Sequence, residues 1–212
     1  MRWKRIPKEN ARQPRRGCYR DWKEIIAQEG FNQCVYCAIH EASFGGTRNF
    51  HVEHYRPKSR FRSLENDIRN LFYACAICNT FKGDSWPAEP CEDHSSICFP
   101  NPSEVDYSTL FEVNFSSGVI NGKFVASRYL VEQLHLNRHQ LLLERRTFQA
   151  CERVGEIHQV IRRMIDELEE IDSQESKRYL ARLGRLMTEI SHLGYSLRAI
   201  RPYTPEQLRR QI

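Results

Sequence analysis

Four cysteines stand in two pairs, Cys34-x-x-Cys37 and Cys75-x-x-Cys78. A two-residue gap lets neighbouring thiolates turn toward one ion. Two such pairs predict a closed, four-thiolate structural zinc site. The second pair closes a loop of about forty residues, at the long end of the usual spacings. Inside that loop runs His51-Val52-Glu53-His54-Tyr55-Arg56-Pro57-Lys58. The cysteines already fill the zinc, so these side chains are free for other work. A histidine with an ordinary pKa of about 6.5 is mostly neutral near neutral pH and can take a proton from water. Taken alone, each histidine here also reads as a structural residue bonded to backbone.

The stretch Glu53-His54, then Asn70 ahead of Cys75, then Asn79-x-x-Lys82-Gly83 after Cys78 resembles the HNH (ββα-metal) endonucleases across residues 34 to 83. The resemblance implies a catalytic histidine at the end of a first strand, a central asparagine, and a third residue on a helix, here Asn79 in place of histidine. It implies metal-dependent phosphodiester hydrolysis. That chemistry needs an activated water, in-line geometry and a cation to stabilise charge on the phosphorane and leaving oxygen. His54 is then the general base. Glu53 and Asn79 become ligands of a catalytic Mg²⁺ or Mn²⁺, hard-oxygen donors distinct from the soft zinc site. Asn70 pins the loop between the strands and so orients His54. His51 shares the alternating face with Glu53. It reads either as an assistant to metal or phosphate, or as a satisfied histidine beside the site. Arg56, Lys58 and Lys82 are candidates to hold the DNA backbone, with Lys82 placed one turn beyond Asn79.

These residues need elements to carry them. Tyr19 to Glu29 predicts a short helix stopped by Gly30. Asn49 to His54 alternates as a strand, with Phe50 and Val52 on one face and His51 and Glu53 on the other. Alternation puts Glu53 and His54 on opposite sides, so the strand must end or twist at His54. Ser59 to Asp67 is a polar loop. Leu71-Phe72-Tyr73 is a second strand, and Cys75 to Lys82 a helix that Gly83 lets the chain leave. Proline-rich residues 84 to 103 predict an ordered loop. Within it, Cys91, His94 and Cys98 lack a fourth ligand and read as free thiols and a histidine. Leu110 to Phe124 predicts a hairpin turning at Ser116-Ser117-Gly118, with Phe111, Val113 and Phe115 alternating. From Tyr129 onward, two amphipathic runs (Val154 to Ile171, then Leu180 to Leu197) flank a break at Asp172-Ser173. They predict an antiparallel helical hairpin.

The fold expected is α+β. A ββα-metal core stapled by zinc is followed by a hairpin and a C-terminal helical hairpin. Residues 1–30 form a basic arm and short helix, 31–128 the nuclease core, and 129–212 the helical region. The arm's Arg2, Lys4, Arg5, Lys8, Arg12, Arg15, Arg16 and Arg20 read either as an arm along a phosphate backbone, or as a solvated tail or a segment docked on the core through Trp3 and Ile6. The chain of 212 residues carries 32 Lys and Arg against 27 Asp and Glu, a net charge of +5. That balance permits nucleic-acid binding without demanding it. No apolar run approaches the roughly 20 residues of a membrane span, and the N-terminus lacks the apolar stretch of a secretory signal. A cytoplasmic, non-membrane protein with thiols rather than disulfides is the expectation.

A narrower resemblance adds the Phe99-Pro-Asn-Pro region and Leu134-His-Leu-Asn137-Arg138…Leu142…Arg145. These are similar to the HNH component of Septu-type and retron-associated anti-phage defence. That likeness implies a partner ATPase, met through the C-terminal helices or the basic arm. The rival reading is a non-catalytic, zinc-stabilised nucleic-acid-binding or adaptor module. A RING-type interaction domain lacks the further Cys/His pairs it would need.

Overall fold

The aromatic and β-branched residues around the cysteines make the strands the sequence predicts. In the computed structural model, which describes residues 3–9, 11–114, 116–169 and 174–199, β1 (Phe50–His54) pairs antiparallel with β2 (Leu71–Cys75). Phe50 lies opposite Cys75 and His54 opposite Leu71. Every residue of β2 is buried, and the rings of Phe50 and Tyr73 stack with centroids 4.7 Å apart. Such cross-strand aromatic pairs contribute about 0.2–1 kcal/mol relative to a pair of alanines. Two short helices pack on this hairpin: α1 (Lys23–Glu29) and α2 (Ala76–Lys82).

Both helices are set by their ends. The Cys75 sulfur caps α2 by accepting from the Cys78 N–H at 3.4 Å, and Gly83 leaves it at φ +48°. That is a left-handed turn in which only glycine is unstrained. α1 starts later than Tyr19, because the Asp21 carboxylate takes the Cys18 N–H at 2.8 Å and holds 18–21 in a turn. Gly30 does end α1, yet at φ −84°; the left-handed reversal falls on Phe31 (φ 56°) and Asn32 (φ 55°).

The N-terminal residues dock on the core. The Trp3 indole N–H donates to the Tyr36 carbonyl at 2.8 Å, and its ring meets Phe111 with centroids 5.1 Å apart. Ile6 is buried and its N–H donates to the Pro102 carbonyl at 3.0 Å. Of the readings of this segment, docking through Trp3 and Ile6 is what the structure shows for residues 3–9. Arg12, Arg15, Arg16 and Arg20 remain exposed beyond it.

The second hairpin, β3 (Phe111–Val113) with β4 (Ile120–Gly122), turns at Gly118, φ +76°. Phe115 lies outside the described residues. Helix α3 (Val125–Gln133) crosses β4 so closely that a Cβ on Gly122 would stand 2.3 Å from the Arg128 nitrogen. The expected boundary between residues 128 and 129 therefore falls inside α3. Leu134 and Leu136, expected in a helix, lie instead in the connection to α4, where His135 takes φ +47°. The long helices α4 (His139–Glu169) and α5 (Gln174–Ala199) pack on each other, as their periodicity predicts. The break at Asp172-Ser173 lies outside the described residues. Ile161 of the α4 seam is buried, while Ile157 and Met164 stay exposed. Among the described residues, no helix is long and apolar enough to cross a membrane.

Candidate active site and metal centre

Cys34 and Cys37 lie between α1 and β1, while Cys75 ends β2 and Cys78 lies in α2. The Val35 N–H donates to the Tyr73 carbonyl at 2.8 Å, which seats the first knuckle against β2 beside the second. The four sulfurs lie within 4.8 Å of one another, and all four residues are buried. None is in a disulfide. Cys37 Sγ and Cys75 Sγ are 3.8 Å apart. A zinc tetrahedron with Zn–S bonds of about 2.3 Å has sulfur–sulfur edges of about 3.8 Å. The donor set and its spacing thus fit a zinc ion. Among the described residues this is the one such His/Cys/carboxylate cluster. Cys91 is instead hydrogen-bonded to the Ser96 hydroxyl at 2.9 Å, consistent with a free thiol.

Beside this knuckle, a cleft of about 470 Å³ opens over the end of β1. His51, Glu53, His54 and Asn79 all line it. Glu53 and His54 therefore share a site although strict alternation separates them. The strand ends at His54, and that termination turns the imidazole into the cleft.

His54 is held in one tautomer. Its Nε2 lies 2.9 Å from the Glu65 carbonyl oxygen. A carbonyl only accepts, so Nε2 carries the proton and Nδ1 keeps the lone pair. The Tyr19 ring meets the imidazole edge-on, centroids 4.7 Å apart. Burial pushes the His54 pKa below its ordinary value, against the pull of the Glu65 carbonyl. The ring is thereby kept neutral.

Glu53 is buried at the foot of the cleft. Its Oε1 accepts from the Lys82 ammonium at 2.6 Å and from the Tyr36 hydroxyl at 3.1 Å. Oε2 has no protein partner among the described residues. The carboxylate is thus anchored through one oxygen with the other left for a ligand. Burial pushes its pKa up, opposed by Lys82 and Tyr36.

Asn70 bonds backbone groups of the loop that precedes it. Its amide oxygen accepts from the Arg56 N–H at 2.8 Å, and its NH₂ donates to the Arg56 carbonyl at 3.0 Å and to the Leu64 carbonyl at 3.4 Å. It closes the chain from His54 to Leu71. Asn70→Ala leaves these backbone groups unpaired. The expected loss is about 1–3 kcal/mol of stability, read by urea denaturation.

The three candidate backbone-binding cations part company. Lys58 lines the cleft and donates to the Tyr19 hydroxyl at 2.8 Å. Arg56 is turned aside, paired with Glu89 at 2.6 Å and set against the Phe61 and Trp86 rings. Lys82 is a correction. Only 1% of its side chain is exposed; besides Glu53 it bonds the His54 carbonyl at 2.9 Å. As placed it meets no solvent-borne phosphate. It braces the last two residues of β1 from inside.

Sequence reasoning missed several cleft residues. Tyr19, Arg20 and Lys23 form a wall from the N-terminal segment, and Asp84 stands at the exit of α2. The Tyr19 hydroxyl accepts from Arg20 at 3.1 Å as well as from Lys58. Only the basic run around Arg20 hinted at this wall, and it carried no information about Tyr19.

Residues 34–85, about a quarter of the 212-residue chain, match the family described as HNH endonuclease. No curated protein and no solved structure matches the chain. The likeness to anti-phage systems therefore rests on sequence motifs alone.

Proposed function

We propose that the HNH endonuclease domain carried by residues 34–85 hydrolyses DNA phosphodiester bonds, with His54 as its general base. One observation carries this reading. The Glu65 carbonyl fixes the His54 proton on Nε2, so a neutral imidazole keeps its lone pair on Nδ1 in a cleft shared with Glu53 and Asn79.

Arg20, Lys23 and Lys58 line the cleft and suit a phosphate backbone. Nδ1 of His54 takes a proton from the attacking water. The Glu65 carbonyl then stabilises the imidazolium through the N–H it already holds. Glu53, through Oε2, and the Asn79 amide oxygen are the residues that would hold Mg²⁺ or Mn²⁺. When bound, such an ion supplies charge stabilisation at the phosphorane and leaving oxygen. Lys82 and Tyr36 keep Glu53 aimed. The four cysteines hold zinc and staple the knuckle to α2, a structural task separate from the chemistry. The role in anti-phage defence with an ATPase partner extends this proposal on the strength of the sequence motifs.

The test is cleavage of supercoiled plasmid by wild-type protein and His54→Ala, with Mg²⁺ or Mn²⁺ and with EDTA. Metal-dependent cutting that vanishes in the variant, while DNA binding persists, supports the nuclease. Cutting that survives in His54→Ala removes that residue as base. A protein that binds DNA and cuts under no condition, with or without the partner ATPase, is the adaptor module instead.

A further inference from the structure

Arg138 lies outside the matched domain, in the connection between α3 and α4. Its guanidinium nevertheless rests against the sulfur cluster. Nη2 is 3.6 Å from Cys37 Sγ, 3.7 Å from Cys75 Sγ and 3.6 Å from Cys78 Sγ. Nη1 is 3.6 Å from Cys78 Sγ and 3.2 Å from the Leu134 carbonyl. The rigid fork of arginine thus spans one face of the cluster, three sulfurs at once, a geometry that lysine's point charge does not reproduce.

The chain around it is fixed with unusual care. The Asn137 amide accepts from the Ile120 N–H at 2.9 Å and donates to the Ile120 carbonyl at 2.8 Å, stitching the connection to β4. Arg145 is buried. It donates to the Gly118 carbonyl at 2.7 Å and also to the Leu136 carbonyl. These bonds deliver Arg138 to the sulfurs from sixty residues beyond the last cysteine.

We infer that Arg138 is an outer-sphere partner of the four-cysteine metal site, donating N–H···S bonds to three of its sulfurs and tying the start of α4 to the metal knuckle. The inference rests on the zinc reading above. Four thiolates around one divalent ion carry excess negative charge. A guanidinium on their open face stabilises that charge and draws electron density from the sulfurs. Outer-shell partners of this kind typically change metal affinity about 10–100-fold.

Zinc content of purified wild-type protein comes first. Zinc release to a chromophoric chelator and the Co²⁺-substituted absorption spectrum are then compared for wild type, Arg138→Met, Arg138→Lys and Asn137→Ala. Arg138→Met is expected to bind zinc about 10–100-fold more weakly. Its sulfur-to-cobalt charge-transfer band should move to lower energy, because sulfurs without N–H donors give up electrons more easily. Arg138→Lys should fall between, and carries the test if the methionine variant does not fold. Asn137→Ala loosens the connection that delivers Arg138, and should weaken zinc binding and shift the band in the same direction by a smaller amount. The inference is overturned if the cobalt charge-transfer band of the position-138 variants stays at the wild-type energy, whether or not zinc binding weakens. A wild-type protein that holds no zinc and takes up none overturns the zinc reading itself, and this inference with it.

Discussion

Lys82→Met is expected to cost about 3–5 kcal/mol of folding stability, the range for breaking one partner of a buried ion pair. The ammonium and the Glu53 carboxylate are both buried, with side-chain exposures of 1% and 4%, and 2.6 Å apart. Removing the cation strands a carboxylate that retains only the Tyr36 hydroxyl as donor. It also frees the His54 carbonyl, so the end of β1 loses two anchors together. Urea denaturation of zinc-loaded protein measures the loss. The double variant Glu53→Gln with Lys82→Met should recover part of it, since a neutral amide needs no counter-charge. The two substitutions should therefore be far from additive. A loss below about 1 kcal/mol would match an exposed ion pair and contradict the buried brace.

The second large effect concerns His54→Ala. Loss of a positioned general base typically lowers the rate about 10²–10⁴-fold. DNA affinity should hardly change, because the cleft's cations are untouched. The pH dependence of cutting has a definite sign. His54 works as a base only when neutral, and burial holds its folded pKa below the ordinary 6.5. Cutting should rise with pH through that lowered pKa and flatten before 6.5, rather than after it. Stability runs the same way. Below 6.5 the unfolded chain binds the proton first, so this histidine's contribution is present above 6.5 and is lost as pH falls through the folded pKa. A rate still climbing well above pH 6.5 would point to a different group as base.

How much of this was legible in the sequence depended on the range of the interaction that fixes each residue. The knuckles were legible, since Cys34 with Cys37 and Cys75 with Cys78 are placed by local chain geometry. So were β1, β2 and α2, where aromatic strands and a glycine exit agree with one another. The Asn70 pin was expected only through family resemblance, and its three hydrogen bonds have the form that role requires. Lys82 misled. A lysine one turn beyond Asn79 reads as a surface cation. However, α2 is only seven residues long and lies against β1, so the lysine stem reaches inward to a carboxylate on another element. Tyr19 and Arg138 were beyond sequence reasoning for a similar reason. Each acts on a partner set by tertiary packing, His54 in one case and the sulfurs in the other. For the basic N-terminal run the sequence offered both charge and the apolar anchors Trp3 and Ile6, and the anchors decide where residues 3–9 go.

The long-range bonds of the core also govern the order in which a growing chain can complete its fold. All four cysteines leave the ribosome well before the arginine that rests on them. Trp3 meets the Tyr36 carbonyl early, but its ring must wait for Phe111 and Ile6 for Pro102 before the arm is docked. A nascent chain stopped just after Gly83 would hold every residue of the proposed chemistry and still lack the contacts that close the core around it. Completion of the core around the candidate site is thus a late event in the chain's own synthesis.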